Sequence, residues 1–326
     1  MLAAFYRSNQ PAVLVSVPLV VALLFAPAFW HAPLPSGALM PLAALVQSWI
    51  GESALAHALL GIVLVSSSTI QLAALMNALE LMDRRNHLVA ITFPVALAGL
   101  GGPACYDPAL LGLPLVLFAL RRAWSITNTS AALAPLFDAS LLIGLAALCY
   151  LPYVVLLVVL WISTSLIRSF AWREYVVPTI GVALMFYLAW MVLQLIGHAP
   201  WLPMKSLIPA DMAPAVLWKG TARKAFLVLL LPTLLLALAA FNRSQSKSVI
   251  RGKNLRSAFM ALALALALVI GLLATLKGGF PAVLAALPAG VIAAYLFLDP
   301  RRNWLAELSL MALAGMALWV RWGAGA

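Results

Sequence analysis

Charge is what this chain has least of. Asp, Glu, Lys and Arg make up 9% of its 326 residues, against roughly 25% in a soluble domain. A water-solvated surface cannot be built from so little, so a soluble fold is excluded. Cysteine is nearly absent: Cys105 and Cys149 lack metal-ligand spacing, and two buried thiols are the preferred reading over a disulfide. Four histidines, scattered, disfavour a haem or di-metal centre. No stretch alternates in polarity over about ten residues, as a transmembrane β-barrel would require. The chain has no Walker A loop, no G-x-S-x-G, no HExxH and no CxxCH. No ionisable residue falls near the middle of an apolar run, where an ion-coupled transporter places one, and the two halves show no repeat. The first apolar run lacks a small-residue cleavage site, so it does not read as a removable signal peptide.

What remains is 65% hydrophobic, in runs of about 17 to 25 residues, each long enough to cross roughly 30 Å of hydrocarbon as a helix. The fold class this predicts is all-α: a single integral membrane domain over 1–326, a bundle of about 11 spanning helices. Their expected ranges are about 11–30, 54–79, 88–103, 108–122, 136–149, 152–168, 175–197, 225–241, 257–276, 281–298 and 304–320. Residues 31–53 contain GALMPLAALVQSWIGES, too short and interrupted to span; they read as an interfacial helix anchored by Trp49. Helix 54–79 is polar for a span, with His57, Ser66, Ser67, Ser68, Thr69, Gln71 and Asn77, residues that normally face a bundle interior.

The net charge of +11 follows from the enrichment of cytoplasmic loops in Lys and Arg, not from nucleic-acid binding. With the N-terminus inside, every inner loop carries at least two basic residues. All but Lys205, Lys219, Arg223, Lys224, Lys277 and Arg321 then lie inside. This puts the N-terminus in the cytoplasm and the C-terminus in the periplasm of a bacterial inner membrane, with the lipid bilayer as first partner.

Orientation sorts the reactive residues. The inner acids Glu80, Asp83, Glu174 and Asp299 sit beside arginines in short loops, where local ion pairing or solvation accounts for them. Glu307 is read as reaching toward Arg301 or Arg302, and Asp138 as a polar cap at an inner helix start. The outer face collects Glu52, His57, Tyr106, Asp107, His198 and Asp211. Four of the six outer cations, Lys205, Lys219, Arg223 and Lys224, lie in the loop 198–224. An acid at the membrane surface can deprotonate a hydroxyl or hold a divalent cation against a phosphate. Clustered Lys and Arg can bind a lipid phosphate or pyrophosphate. Each also has a structural alternative: Asp107-Pro108 is equally a helix N-cap with proline at the first position, Asp211 a loop cap, Glu52 a partner for a loop cation, and the basic group a headgroup-binding surface.

FYRSNQPAVLV, RRNHLVAITFPVAL, LRRAWS, LFDASLLIGLAALCYLPYVVLLVVLWI and WREYVVPTIG, over about residues 5–185, resemble a family of Bacteroidota inner-membrane proteins known chiefly as a domain of unknown function. More loosely, the layout is similar to GT-C superfamily glycosyltransferases, which use polyprenyl-phosphate sugars. That resemblance implies a catalytic acid at Glu52, a second at Asp107, phosphate held by Lys205, Lys219, Arg223 and Lys224, and His57, Tyr106, His198 and Asp211 as further candidates. The stretch after Trp30 is HAPLPSG, without the acid those enzymes carry soon after their first helix. The expected function is thus envelope biogenesis on a polyprenyl-phosphate-linked sugar at the outer leaflet. The alternatives are a non-enzymatic membrane scaffold with a membrane-protein partner, and, more weakly, a lipid or small-molecule transporter.

Overall fold

The computed structural model describes residues 2–8, 10–29, 39–103, 105–126, 132–197, 203, 220–275, 280–298 and 303–323. Among them are thirteen α-helices and two short 3-10 turns, and no strand. In chain order the helices are α1 (Leu2–Arg7), α2 (Ala12–Phe25), α3 (Pro41–Ile50), α4 (Ala54–Ala78), α5 (Val89–Gly99), α6 (Pro108–Trp124), α7 (Leu133–Cys149), α8 (Leu156–Ile167), α9 (Arg173–Leu195), α10 (Thr221–Lys247), α11 (Ile250–Thr275), α12 (Ala282–Leu296) and α13 (Asn303–Trp322). Four of them, α4, α9, α10 and α11, are long and apolar enough to cross a membrane.

The bundle is organised round its shortest apolar helix but one. All eleven residues of α5 are buried, and it packs against α2, α4, α12 and α13. Eleven residues advance about 16 Å, roughly half of the hydrocarbon thickness, so α5 is shorter than the range 88–103 implied. The close approach to α12 depends on Gly290, where an added Cβ would lie 2.7 Å from Phe93 Cα. Thr92 seals the same crossing, its hydroxyl donating to Gly290 O at 2.7 Å. Small residues and a hydroxyl at a helix crossing are how apolar bundles associate where lipid offers no hydrophobic drive.

Burial sorts the long helices. In α4, 56% of the apolar window is buried, against 17% in α9. The polar residues of α4 do face inward: His57, Ser66, Ser68 and Thr69 are buried. By contrast α9 presents Ile180, Leu184, Tyr187, Trp190 and Leu195 outward.

Two expectations are corrected, and a third is left open. The basic stretch NRSQSKSVIRGKNLRS, which the expected ranges 225–241 and 257–276 leave between helices as an inner loop, is not a loop: α10 runs on to Lys247 and α11 begins at Ile250, leaving a break at Ser248–Val249. Polar residues that end an apolar run need not end a helix, because Arg, Lys, Gln and Ser continue one in water at small cost. Asp138 is no cap, since α7 starts earlier, at Leu133; its carboxylate instead accepts from Arg122 Nε and Nη2 at 3.0 and 2.9 Å. Glu307 reaches back across the bundle, where Oε1 accepts from Ala4 N at 3.4 Å; Arg301 and Arg302 lie outside the described residues. The thiols Cys105 and Cys149 are both free and buried.

Candidate functional site

The helices bring polar residues together at two opposite ends. One end is built on the turn residues 100–103 and 105–107. Tyr106 lies flat in it, its hydroxyl donating to Ala43 O of α3 at 2.8 Å and its N–H to His57 O at 2.8 Å. The His57 ring stands 5.7 Å from the Tyr106 ring, with Nε2 at 2.9 Å from Gly51 O. That pairing requires Nε2 to carry the proton, which leaves Nδ1 as a buried acceptor without a partner among the described residues. Burial pushes the Tyr106 phenol well above its ordinary pKa, so it stays a neutral donor. The turn reaches α4 because residue 61 is glycine: a Cβ there would lie 2.7 Å from the Cys105 carbonyl carbon. His57 and Tyr106 therefore tie α3 to α4 and α6, and Gly61 is a requirement that residue chemistry alone did not suggest.

Asp107 is the N-cap of α6. Its Oδ1 accepts from Ala109 N at 2.7 Å and Leu110 N at 3.4 Å, and Pro108 takes the first helical position. Burial raises its carboxyl pKa, a rise the two N–H donors offset in part. Glu52 lies in the turn between α3 and α4, exposed, with no hydrogen bond or ion pair to any described residue. The two acids thus differ: one is occupied by a helix end, the other is open.

Arginine closes this end. Arg223, in the first turn of α10, lays its guanidinium on Gly101, where a Cβ would meet Nη2 at 2.7 Å. Gly101 has φ +73°, so glycine serves both the left-handed turn and the arginine. Arg321, at the far end of α13, donates from Nη2 to Gly102 O and stacks over the Phe25 ring at 4.7 Å. Its Nε is buried without a partner among the described residues. Two guanidinium groups distant in sequence thus meet on adjacent residues of one turn. Lys224 is beside them and exposed. Arg321 was not among the expected site residues; the signal for it was its own breach of the inside bias. His198, Lys205, Asp211 and Lys219 lie outside the described residues. Among the described residues no group of three or more His, Cys, Asp or Glu could hold a metal ion.

The opposite end is organised by Arg256, which lies in the turn-side half of α11, outside the expected range 257–276. Its guanidinium side chain is 3% exposed. Nε donates to Leu81 O at 2.9 Å, Nη2 to Asp83 Oδ1 at 2.8 Å, and Nη1 to Ser248 Oγ. The Tyr295 ring lies 5.9 Å away, and its hydroxyl donates to the same Leu81 carbonyl at 2.6 Å. Ser244 Oγ donates to Asp83 Oδ2 at 2.6 Å. Burial acts to raise the Asp83 pKa, but these hydrogen bonds and the charges of Arg256 and Lys247 outweigh it, and the carboxyl is held below its usual range. Asp83 thus pairs not with its sequence neighbours Arg84 and Arg85 but with a helix 173 residues on. Glu174 does pair locally, with Arg168 at 3.1 Å.

The chain was compared with protein-family models, curated proteins and solved structures, and none matches it.

Proposed function

We propose that the chain is a multi-pass protein of a bacterial inner membrane that engages a polyprenyl-phosphate-linked sugar at the outer leaflet. In this reading the Gly101 end faces the periplasm with the C-terminus, the N-terminus is cytoplasmic, and about eleven segments cross. The single observation that carries it is the meeting of Arg223 and Arg321 on the Gly101–Gly102 turn. Two guanidinium forks side by side, at the end of the protein that holds few other cations, suit the two non-bridging oxygens of a lipid phosphate. The distribution of basic residues supports the orientation: Arg84, Arg85, Arg251 and Arg256 gather at the Asp83 end.

Glu52 is the acid or base of this reading, being the open carboxylate at the same end, and Lys205, Lys219 and Lys224 supplement the phosphate hold. Asp107 is the weaker candidate because its Oδ1 already serves α6. The test is complementation of a deletion strain at matched membrane levels by Glu52→Gln, Asp107→Asn, Arg321→Gln and Arg321→Lys. Loss with Glu52→Gln and with Arg321→Gln is expected, and Lys should rescue in part because it keeps charge without the fork. Full function from both Gln variants overturns the reading.

A scaffold role is the second reading, favoured by the apolar outward face of α9. Recovery of a stoichiometric membrane-protein partner that is lost on Leu184→Arg would support it over chemistry on a lipid.

A further inference from the structure

A cavity of about 530 Å³ opens at the Asp83 end between the last turn of α4, the segment Leu79–Arg85 and the start of α11. Its charged lining is Arg84, Arg85, Arg251 and Arg256 against Glu80 and Asp83. These groups do not cancel in pairs. Arg256 and Asp83 bond to each other and form the inner wall. Arg84, Arg85 and Arg251 are exposed, and their guanidinium groups have no hydrogen-bond or ion-pair partner among the described residues. The cavity thus carries surplus positive charge on exposed forks, backed by a buried guanidinium in an ion pair.

The wall is held firmly. Asn77 Nδ2 donates to Asn86 O at 2.9 Å, and Asn77 Oδ1 accepts from Asn86 N at 3.1 Å, closing the segment that bears the two arginines into a loop. Asn86 Oδ1 in turn accepts from Leu88 N at 3.0 Å. On the rim, Glu80 has φ +51°, the only non-glycine residue with positive φ among those described. It occupies the left-handed position of a Schellman motif: Leu81 N donates to Met76 O at 3.1 Å and Glu80 N to Asn77 O at 3.4 Å. Glycine fits that position without strain, so a glutamate there puts a side chain on the rim at a conformational cost. Strain retained beside a charged cavity fits a binding site.

We infer that this cavity binds a phosphate ester, its oxygens taken by Arg84, Arg85 and Arg251 and its access limited by the Glu80 carboxylate. The inference does not rest on the reading of the Gly101 end, from which the length of the bundle separates it. The same chemistry is offered by a soluble phosphate compound and by the headgroup of an anionic phospholipid, since the cavity opens where the polar extensions of α10 and α11 leave the apolar bundle.

The experiment uses the full chain in nanodiscs. In one arm the lipid is neutral phosphatidylcholine and the probe is inorganic pyrophosphate, titrated calorimetrically. In the other, phosphatidylglycerol is included and lipid retained by the protein is counted by native mass spectrometry. Saturable binding in the first arm alone identifies a soluble ester, and retention in the second alone a headgroup. In the arm that binds, Arg84→Gln, Arg85→Gln and Arg251→Gln combined should weaken binding by about tenfold or more, and Glu80→Gln should tighten it. Arg173→Gln, a cation outside the cavity, should leave it unchanged. If the triple variant unfolds, the three single variants decide, each expected to weaken binding by about threefold. No saturable binding in either arm, wild-type binding by the triple variant, or equal weakening by Arg173→Gln overturns the inference.

Discussion

Arg256 and Asp83 form one ion pair with unequal burial, and the inequality sets what each contributes. The arginine side chain is 3% exposed and the aspartate 57%. Arg256→Ala removes three hydrogen bonds and the contact with Tyr295, leaving Leu81 O with the Tyr295 hydroxyl alone. A loss of about 3 kcal/mol is expected, seen as a lowered unfolding midpoint in detergent. Asp83→Asn should cost less, about 1 kcal/mol, because water already screens the carboxylate. Its pH dependence has a definite sign. The folded carboxyl titrates below its unfolded counterpart, so the pair stabilises fully above about pH 4 and the contribution fades as pH falls through the folded value. The gap between wild type and Asp83→Asn should therefore be open at about pH 7 and narrow once the pH falls below about 4. An equal gap at both would show that charge is not what Asp83 supplies. Glu80 gives the opposite kind of change: Glu80→Gly relieves a left-handed residue and should raise stability by about 1 kcal/mol.

At the scale of elements, the crossings that matter are made by glycine. Gly290→Ala pushes a methyl against the Phe93 backbone, which has no rotamer to yield, so a loss of about 1–3 kcal/mol is expected. Gly315→Ala, with nothing within 4 Å of the added carbon, is the matched control and should be neutral or slightly stabilising. Equal effects would show that α5 and α12 are not locked at this point. Such crossings also mark where the sequence stops being legible. Apolar runs, Asp107-Pro108 and the polar stripe of α4 located most helices to within a few residues, because hydrophobic length and capping chemistry are local. The extension of α10 to Lys247 was missed because hydropathy reports where lipid ends and not where hydrogen bonding ends. α5 ends at Gly99, short of the expected 103, because the left-handed turn at Gly101 leaves no mark on hydropathy. Of the site, the N-cap alternative for Asp107 was legible, a local pattern. Arg321 beside Arg223, and Arg256 under Leu81, were not, since each depends on which helix ends meet, and spacing does not encode that.

The whole molecule has two chemically different ends, and labelling them would measure its orientation in a membrane without knowing the reaction. Hydrogen bonds tie Gly51, Gly102 and Tyr106 into one end and Leu81, Asp83 and Ser244 into the other. Burial raises the Cys105 thiol pKa to about 11, and Cys149 is buried as well, so neither native thiol should compete for a charged maleimide at neutral pH. Single cysteines can therefore be introduced into the otherwise native chain at exposed positions on each end. Glu52→Cys and Lys224→Cys should react with an impermeant maleimide in intact spheroplasts. Arg84→Cys and Arg251→Cys should react only after the membrane is opened. The reverse pattern would invert the protein, placing the arginine pair on the cytoplasmic side and the 530 Å³ cavity outside, and would end the outer-leaflet reading of Arg223 and Arg321. Labelling of all four in intact spheroplasts would be a deeper failure, since a bundle with one polar end on each side of a bilayer cannot expose both to the same reagent.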